Sequence, residues 1–205
     1  MDSSFSKHLF DSSLLIIILI TCSLIQPSQQ TIEKHQQLAR STNFIRKSCS
    51  ATTYPILCFT SLSLHANLIQ TDRKILTDMA LSVTLSSTKS TSALIFSLAK
   101  SRGLKPREVA AMKDCVEELS DAVDELRSSI GEMGKLKPSN FQVTMEDVQT
   151  WVSAALTDEN TCTDGFQGDA VNGKVNTIVR GRIVKVGQLT SNALALINQL
   201  ASNNL

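Results

Sequence analysis

The spacing of its cysteines constrains this chain more than any other feature. Cys49 and Cys58 lie close together in the stretch CSATTYPILC, whereas Cys115 and Cys162 lie far apart, each inside a segment of helical periodicity. A fifth, Cys22, falls in an apolar N-terminal run, and its loss with a leader turns an odd count into an even one. An even count in a secreted chain argues for disulfides. Four cysteines allow three pairings. Cys49–Cys58 with Cys115–Cys162 is preferred because each bond then joins neighbouring elements. On chain-entropy arithmetic the short loop is worth about 2.7 kcal/mol and the long one about 4 kcal/mol.

The leader covers residues 1 to about 28. Lys7 and His8 give a weak basic start, Leu14 to Ile20 is an uninterrupted apolar core, and Pro27 follows its end. This is the pattern of a secretory signal, with cleavage expected between Ser23 and Gln30. The run is well short of the roughly 18 apolar residues that span a bilayer. No later segment is apolar enough to enter a membrane. The 20 basic and 19 acidic side chains nearly balance, and losing Asp2, Lys7 and Asp11 leaves a formal charge of about +2. That balance predicts no nucleic-acid partner and no acidic tail. No Asn-x-Ser/Thr sequon occurs, so N-glycosylation is not expected. What remains suits one domain with one core, here 41–203. With 4% aromatic residues, 8 Gly and 4 Pro, the composition points to helices and away from a β-sandwich.

The expected fold is all-α: an up-down-up-down four-helix bundle behind an N-terminal disulfide-clipped helical hairpin. Pro106 to Met133 carries the clearest seam, with Val109, Met112, Val116, Leu119, Val123, Leu126, Ile130 and Met133 at alternating steps of three and four. The next helix is expected to open at Thr144, with Asp147 three residues on as a capping box. It would bury Val148, Val152, Ala155, Cys162 and Phe166, with Trp151 packed alongside. The last helix follows Gly173 and would bury Val175, Ile178, Val179, Ile183, Val186, Ala193, Ile197 and Leu200. The first long helix, roughly Thr71 to Lys100, is short of large apolar groups between Ser86 and Ser92, so it should pack thinly or kink there. Ahead of it, Thr42 to Leu64 would form two short helical pieces around Tyr54-Pro55, because Pro55 cannot continue a preceding helix.

Three blocks, in order and with matching spacing, resemble the plant invertase and pectin methylesterase inhibitor family. They are CSATTYPILC (Cys49 to Cys58), AMKDCVEELSDAVDEL (Ala111 to Leu126) and QTWVSAALTDENTCTDGF (Gln149 to Phe166). The resemblance implies a four-helix bundle with an N-terminal hairpin, and disulfides joining first to second and third to fourth cysteine. It implies a secreted inhibitor of the cell wall, the apoplast, acting by protein–protein contact as a monomer in a 1:1 complex. The Thr150 to Thr157 wording leans towards pectin methylesterase as target. Lys135 to Phe141 lacks the Pro-Lys-Phe tripeptide of many invertase inhibitors, so acid invertase is the alternative target.

By the same resemblance Glu117, Asp121, Asp124 and Thr161 would contact the enzyme, the carboxylates as acceptors and Thr161 as a hydroxyl donor or acceptor. Glu117, Asp121 and Asp124 follow a spacing of four and three, which places them on one helical face nearly opposite the seam. A solvated polar face accounts equally for such a stripe. A catalytic reading finds little support. No serine sits in a Gly-x-Ser-x-Gly elbow, and only His35 and His65 lie outside the leader. Neither histidine follows a Glu-x-x-His pattern, and the cysteines lack C-x-x-C spacing, so neither metal nor cofactor is expected.

Overall fold

The computed structural model describes residues 29–166 and 174–202; the expected leader lies outside them. Helix α1 spans 29–49 and α2 spans Pro55–Leu62. A 3-10 turn, Ser63–His65, leads into the short α3, Ala66–Ile69. Four long helices follow: α4 (Arg73–Leu98), α5 (Pro106–Gly134), α6 (Phe141–Asp164) and α7 (Lys174–Ser202). α4 packs on α5 and α7, and α6 packs on the same two, which closes an up-down-up-down ring. The described residues contain no strand.

Local chemistry sets the helix ends. Asp72 caps α4, its Oδ1 accepting the Ile75 N–H at 2.9 Å. Between α4 and α5 the chain turns through Gly103 at φ 85°, a conformation in which a Cβ is strained. Pro106 then takes the first helical position, and Glu108 accepts the Lys105 N–H at 2.8 Å. The start of α6 differs from expectation. Pro138–Asn140 forms a 3-10 turn, Asn140 accepts the Lys137 N–H at 2.7 Å and donates to the Lys135 carbonyl at 3.1 Å, and α6 begins at Phe141. Thr144 is therefore a buried residue inside the helix, and no capping box forms there.

The hairpin also differs. Its first arm is the long α1, and only α2 is short; Ser41, Ile45 and Cys49 bury one face of α1, while 29–40 is exposed. Cys49 and Cys58 are joined with Cα atoms 5.5 Å apart. Asn192 of α7 fastens the turn to the bundle, accepting the Tyr54 N–H at 2.9 Å and donating to the Tyr54 carbonyl at 3.0 Å. Cys115 and Cys162 join α5 to α6 with Cα atoms 4.5 Å apart.

The bundle core falls into two apolar clusters. One gathers Leu76, Leu81, Leu126, Val148, Val152, Ala193 and Ile197 near the hairpin; the other holds Ile95, Met112, Leu119, Phe166, Val179 and Ile183 around the long disulfide. Between them along their helices lie Thr88, Glu159 and Thr190, all buried. Thr190 Oγ1 donates to Glu159 Oε1 at 2.9 Å, and Thr88 Oγ1 reaches the same oxygen at 3.4 Å. The small-residue middle of α4 stays helical and buries Thr88 where large apolar groups are absent. It runs unbroken and meets a polar layer. Two apolar assignments fail: Trp151 is 41% exposed and Ile178 is 50% exposed, each one position off the buried stripe. The side chain of Val175 lies outside the described residues.

Candidate functional site

The Cys115–Cys162 bond draws α5 and α6 together, and beside it lies a groove of about 550 Å³. Arg107, Asp114, Glu117 and Glu118 of α5 face Thr161 and Gly165 across it. All four come from α5 positions flanking the buried line Met112–Cys115–Leu119, so the amphipathic pattern itself delivers polar groups to the rim.

The four expected contact residues are all exposed, but they do not converge on one point. Glu117 and Thr161 line the groove together. Thr161 Oγ1 donates to the Thr157 carbonyl of its own helix at 3.0 Å, which commits its proton and leaves the oxygen free to accept. Asp121 lies one turn further along α5, close enough to raise the affinity of Glu118, Glu125 and Asp158 for protons. Asp124 is paired with Arg127 on the same helix and is 70% exposed, so that pair adds little to stability.

Carboxyl groups around Asp121 were not singled out from the sequence. Glu118 is held above the usual carboxylate range by burial, then by the charges of Asp158, Asp121, Glu117 and Asp114. Glu125 is pushed up to about 7, first by burial and then by the neighbouring Asp158 carboxyl and Asp121. Asp158 is also raised, by burial and by Asp121, against the lowering effect of its bond with Glu125. Glu125 Oε2 is buried and has no hydrogen-bond partner, so its surroundings favour the protonated carboxyl. Glu118, Asp121 and Glu125 recur at steps of three and four, a signal present in the sequence. That Asp158 faces them from α6 depends on helix packing. Among the described residues no cluster of His, Cys, Asp or Glu is arranged to hold a metal ion.

The groove can accept hydrogen bonds and oppose negative charge, and it contains no nucleophile–base pair among these residues. Comparison with known proteins gives this surface a context. The profile of the plant invertase/pectin methylesterase inhibitor family matches residues 43–196. The chain is 44% identical over 191 residues to pectinesterase inhibitor 11 of Arabidopsis thaliana, covering 91% of this chain and 95% of that protein. It is 40% identical to pectinesterase inhibitor 9 of the same plant, covering 93% and 94%. A crystal structure of a mutant form of an Arabidopsis pectin methylesterase inhibitor superposes with a TM-score of 0.60 over 73% of this chain and 92% of that one; at 21% identity this speaks for the fold alone. With the profile running from the hairpin well into α7, this chain belongs to the plant invertase/pectin methylesterase inhibitor family.

Proposed function

We propose that this protein inhibits pectin methylesterase by docking over the entrance of its active-site cleft, and so restrains pectin de-esterification in the cell wall. It does so as a secreted monomer in a 1:1 complex and performs no catalysis itself. The observation that carries the reading is the 44% identity, over nearly the whole of both chains, with a protein named a pectinesterase inhibitor. The α5–α6 groove supplies the means: a rigid, disulfide-braced surface of acceptors, with Glu117 and Thr161 on it and Asp121 beside it. Carboxyls already raised by burial and mutual repulsion take up protons readily, so docking against an acidic enzyme cleft strengthens as the pH falls.

The test is an inhibition assay on pectin methylesterase and, in parallel, on acid invertase, at acidic and neutral pH. Loss of ester hydrolysis alone is expected. Asp121→Lys and Glu117→Lys should each weaken inhibition by roughly tenfold or more, because a longer side chain with donors only replaces the acceptor at the contact. Helical circular dichroism should not change, since both positions are exposed. Inhibition undiminished in both variants removes this stripe from the docking face.

A further inference from the structure

We propose that the shallow groove between α4 and α5, with the basic corner it runs into, binds the carboxylated chain that pectin methylesterase produces: a run of de-esterified galacturonate units. The inference rests on the target proposed above. Between Asp78 and Glu108 the sequence holds no acidic side chain, yet it carries Lys89, Lys100, Arg102, Lys105 and Arg107. All five are exposed, and none takes part in the ion pairs of the described residues, which are Lys74–Asp78, Asp124–Arg127 and Glu132–Lys135.

Helix stability accounts for only part of this. Lys100 and Arg102 follow the C-terminal end of α4, where cations complement the helix dipole. Lys105 and Arg107 stand at the cap and second position of α5, where a cation opposes the dipole and a carboxylate is the favourable choice. The carboxylate that does open α5, Glu108, is buried and turned back onto the Lys105 N–H.

The groove itself, about 340 Å³, is lined by Lys89, Ala93, Phe96, Val116, Ser120 and Arg127 among others. Lys89, Ala93 and Phe96 recur at helical spacing along one face of α4, and Lys100, just past its end, lies over the Phe96 ring, so the groove meets the corner there. Phe96 is 52% exposed, and Lys100 Nζ lies 3.8 Å from the centre of its ring. Arg127 keeps guanidinium donors beyond those Asp124 can occupy. An acidic sugar chain matches each part: carboxylates to Lys89, Lys100 and Arg127, the C–H faces of the rings to Phe96 and Val116, hydroxyls to Ser120. A methyl-esterified chain would satisfy the apolar floor and leave the cations unpaired. Because this groove lies between α4 and α5, and the carboxylate-lined one between α5 and α6, one molecule can meet the enzyme and its product together.

Calorimetric titration of the disulfide-oxidised chain with polygalacturonate oligomers, fully methyl-esterified oligomers and dextran sulfate tests this, with inhibition of pectin methylesterase measured on the same samples. Binding of polygalacturonate is expected, weakened by salt, with little binding of the ester. Lys89→Ala with Lys100→Ala should raise Kd at least tenfold, and Phe96→Ala several-fold, while both leave inhibition unchanged. Should the double variant lose helical circular dichroism, Lys100→Gln alone carries the test. Undiminished binding in the variants, or equally tight binding of dextran sulfate, overturns the proposal. Absent binding with inhibition intact overturns it and leaves the proposed function standing, whereas absent inhibition with binding intact overturns that function alone.

Discussion

Replacing Cys115 and Cys162 together by serine is expected to lower the thermal midpoint by roughly 8–16 °C. The long loop they close is worth about 4 kcal/mol in lost unfolded-state entropy, and each kcal/mol moves the midpoint of a domain this size by about 2–4 °C. Both sulfurs are buried in the apolar cluster with Met112, Leu119 and Phe166, so two hydroxyls would take their place among apolar side chains. The same pair of substitutions at Cys49 and Cys58 should cost less, about 2.7 kcal/mol, because Asn192 also ties the hairpin turn to α7. Differential scanning calorimetry on the two double variants and the parent checks both the size and the order. A smaller loss at Cys115/Cys162 than at Cys49/Cys58 would mean that the bundle does not rely on its long staple. Inhibition should fall with the long staple, since the groove walls are the helices it joins.

Stability should also fall as the pH rises from 5 to 9, by on the order of 10 °C in thermal midpoint. Glu159 is 1% exposed, and burial pushes its carboxyl up to about 8, with Asp158 and Glu125 adding to the rise and the Thr190 and Thr88 hydroxyls partly offsetting it. Its Oε2 is buried and receives no hydrogen bond. Glu125 is pushed up to about 7 on the neighbouring helix. Both values lie above the 4.5 of an unperturbed glutamate, so the folded chain holds protons that the unfolded chain releases. The stabilisation is complete below about pH 4.5 and is lost as the pH climbs through about 7 and then about 8. Glu159→Gln keeps the shape and an acceptor for Thr190 while removing the proton, so its midpoint should vary much less above neutrality. The residue of the effect belongs to the Glu125–Asp158 pair. A parent protein whose midpoint is level from pH 5 to 9 would contradict the buried, protonated layer.

The seam of α5 was legible in the sequence because single-faced apolar periodicity is a local signal, and the disulfide pairing because only one of three possibilities joins neighbouring elements twice. So was the start of α7 after Gly173. The polar layer was half legible. On α6 the buried positions Val148, Val152, Ala155, Glu159 and Cys162 step by four and three without a gap, and Glu159 simply occupies one of them. Thr88 and Thr190 hold the matching positions of α4 and α7. A reading that follows only apolar residues passes over all three, and their meeting depends on packing between helices far apart in sequence. Trp151 and Ile178 are the opposite case: each is a large apolar group standing beside a buried stripe that is complete without it. Thr144 looked like a cap because the sequence Thr-x-x-Asp allows one, but Asn140 and Pro138 end the preceding turn earlier. The exposed stretch of α1 over 29–40 is polar enough to have been left outside the domain.

The candidate site was legible in kind more than in membership. The acidic spacing on α5 marked a polar face, and the family resemblance picked four residues from it. The tertiary fold then divides them, with Glu117 and Thr161 in the groove, Asp121 next to it, and Asp124 turned to Arg127. Glu118 and Asp158 join only because α5 and α6 are stapled side by side.

Amide hydrogen exchange of the oxidised chain, free and saturated with pectin methylesterase, tests the central claim most directly. Docking through the carboxylate-lined groove predicts added protection over 110–121 of α5 and 157–165 of α6, with little change along α1 and α2. Protection confined to the hairpin, with those two stretches exchanging as in the free protein, would contradict it.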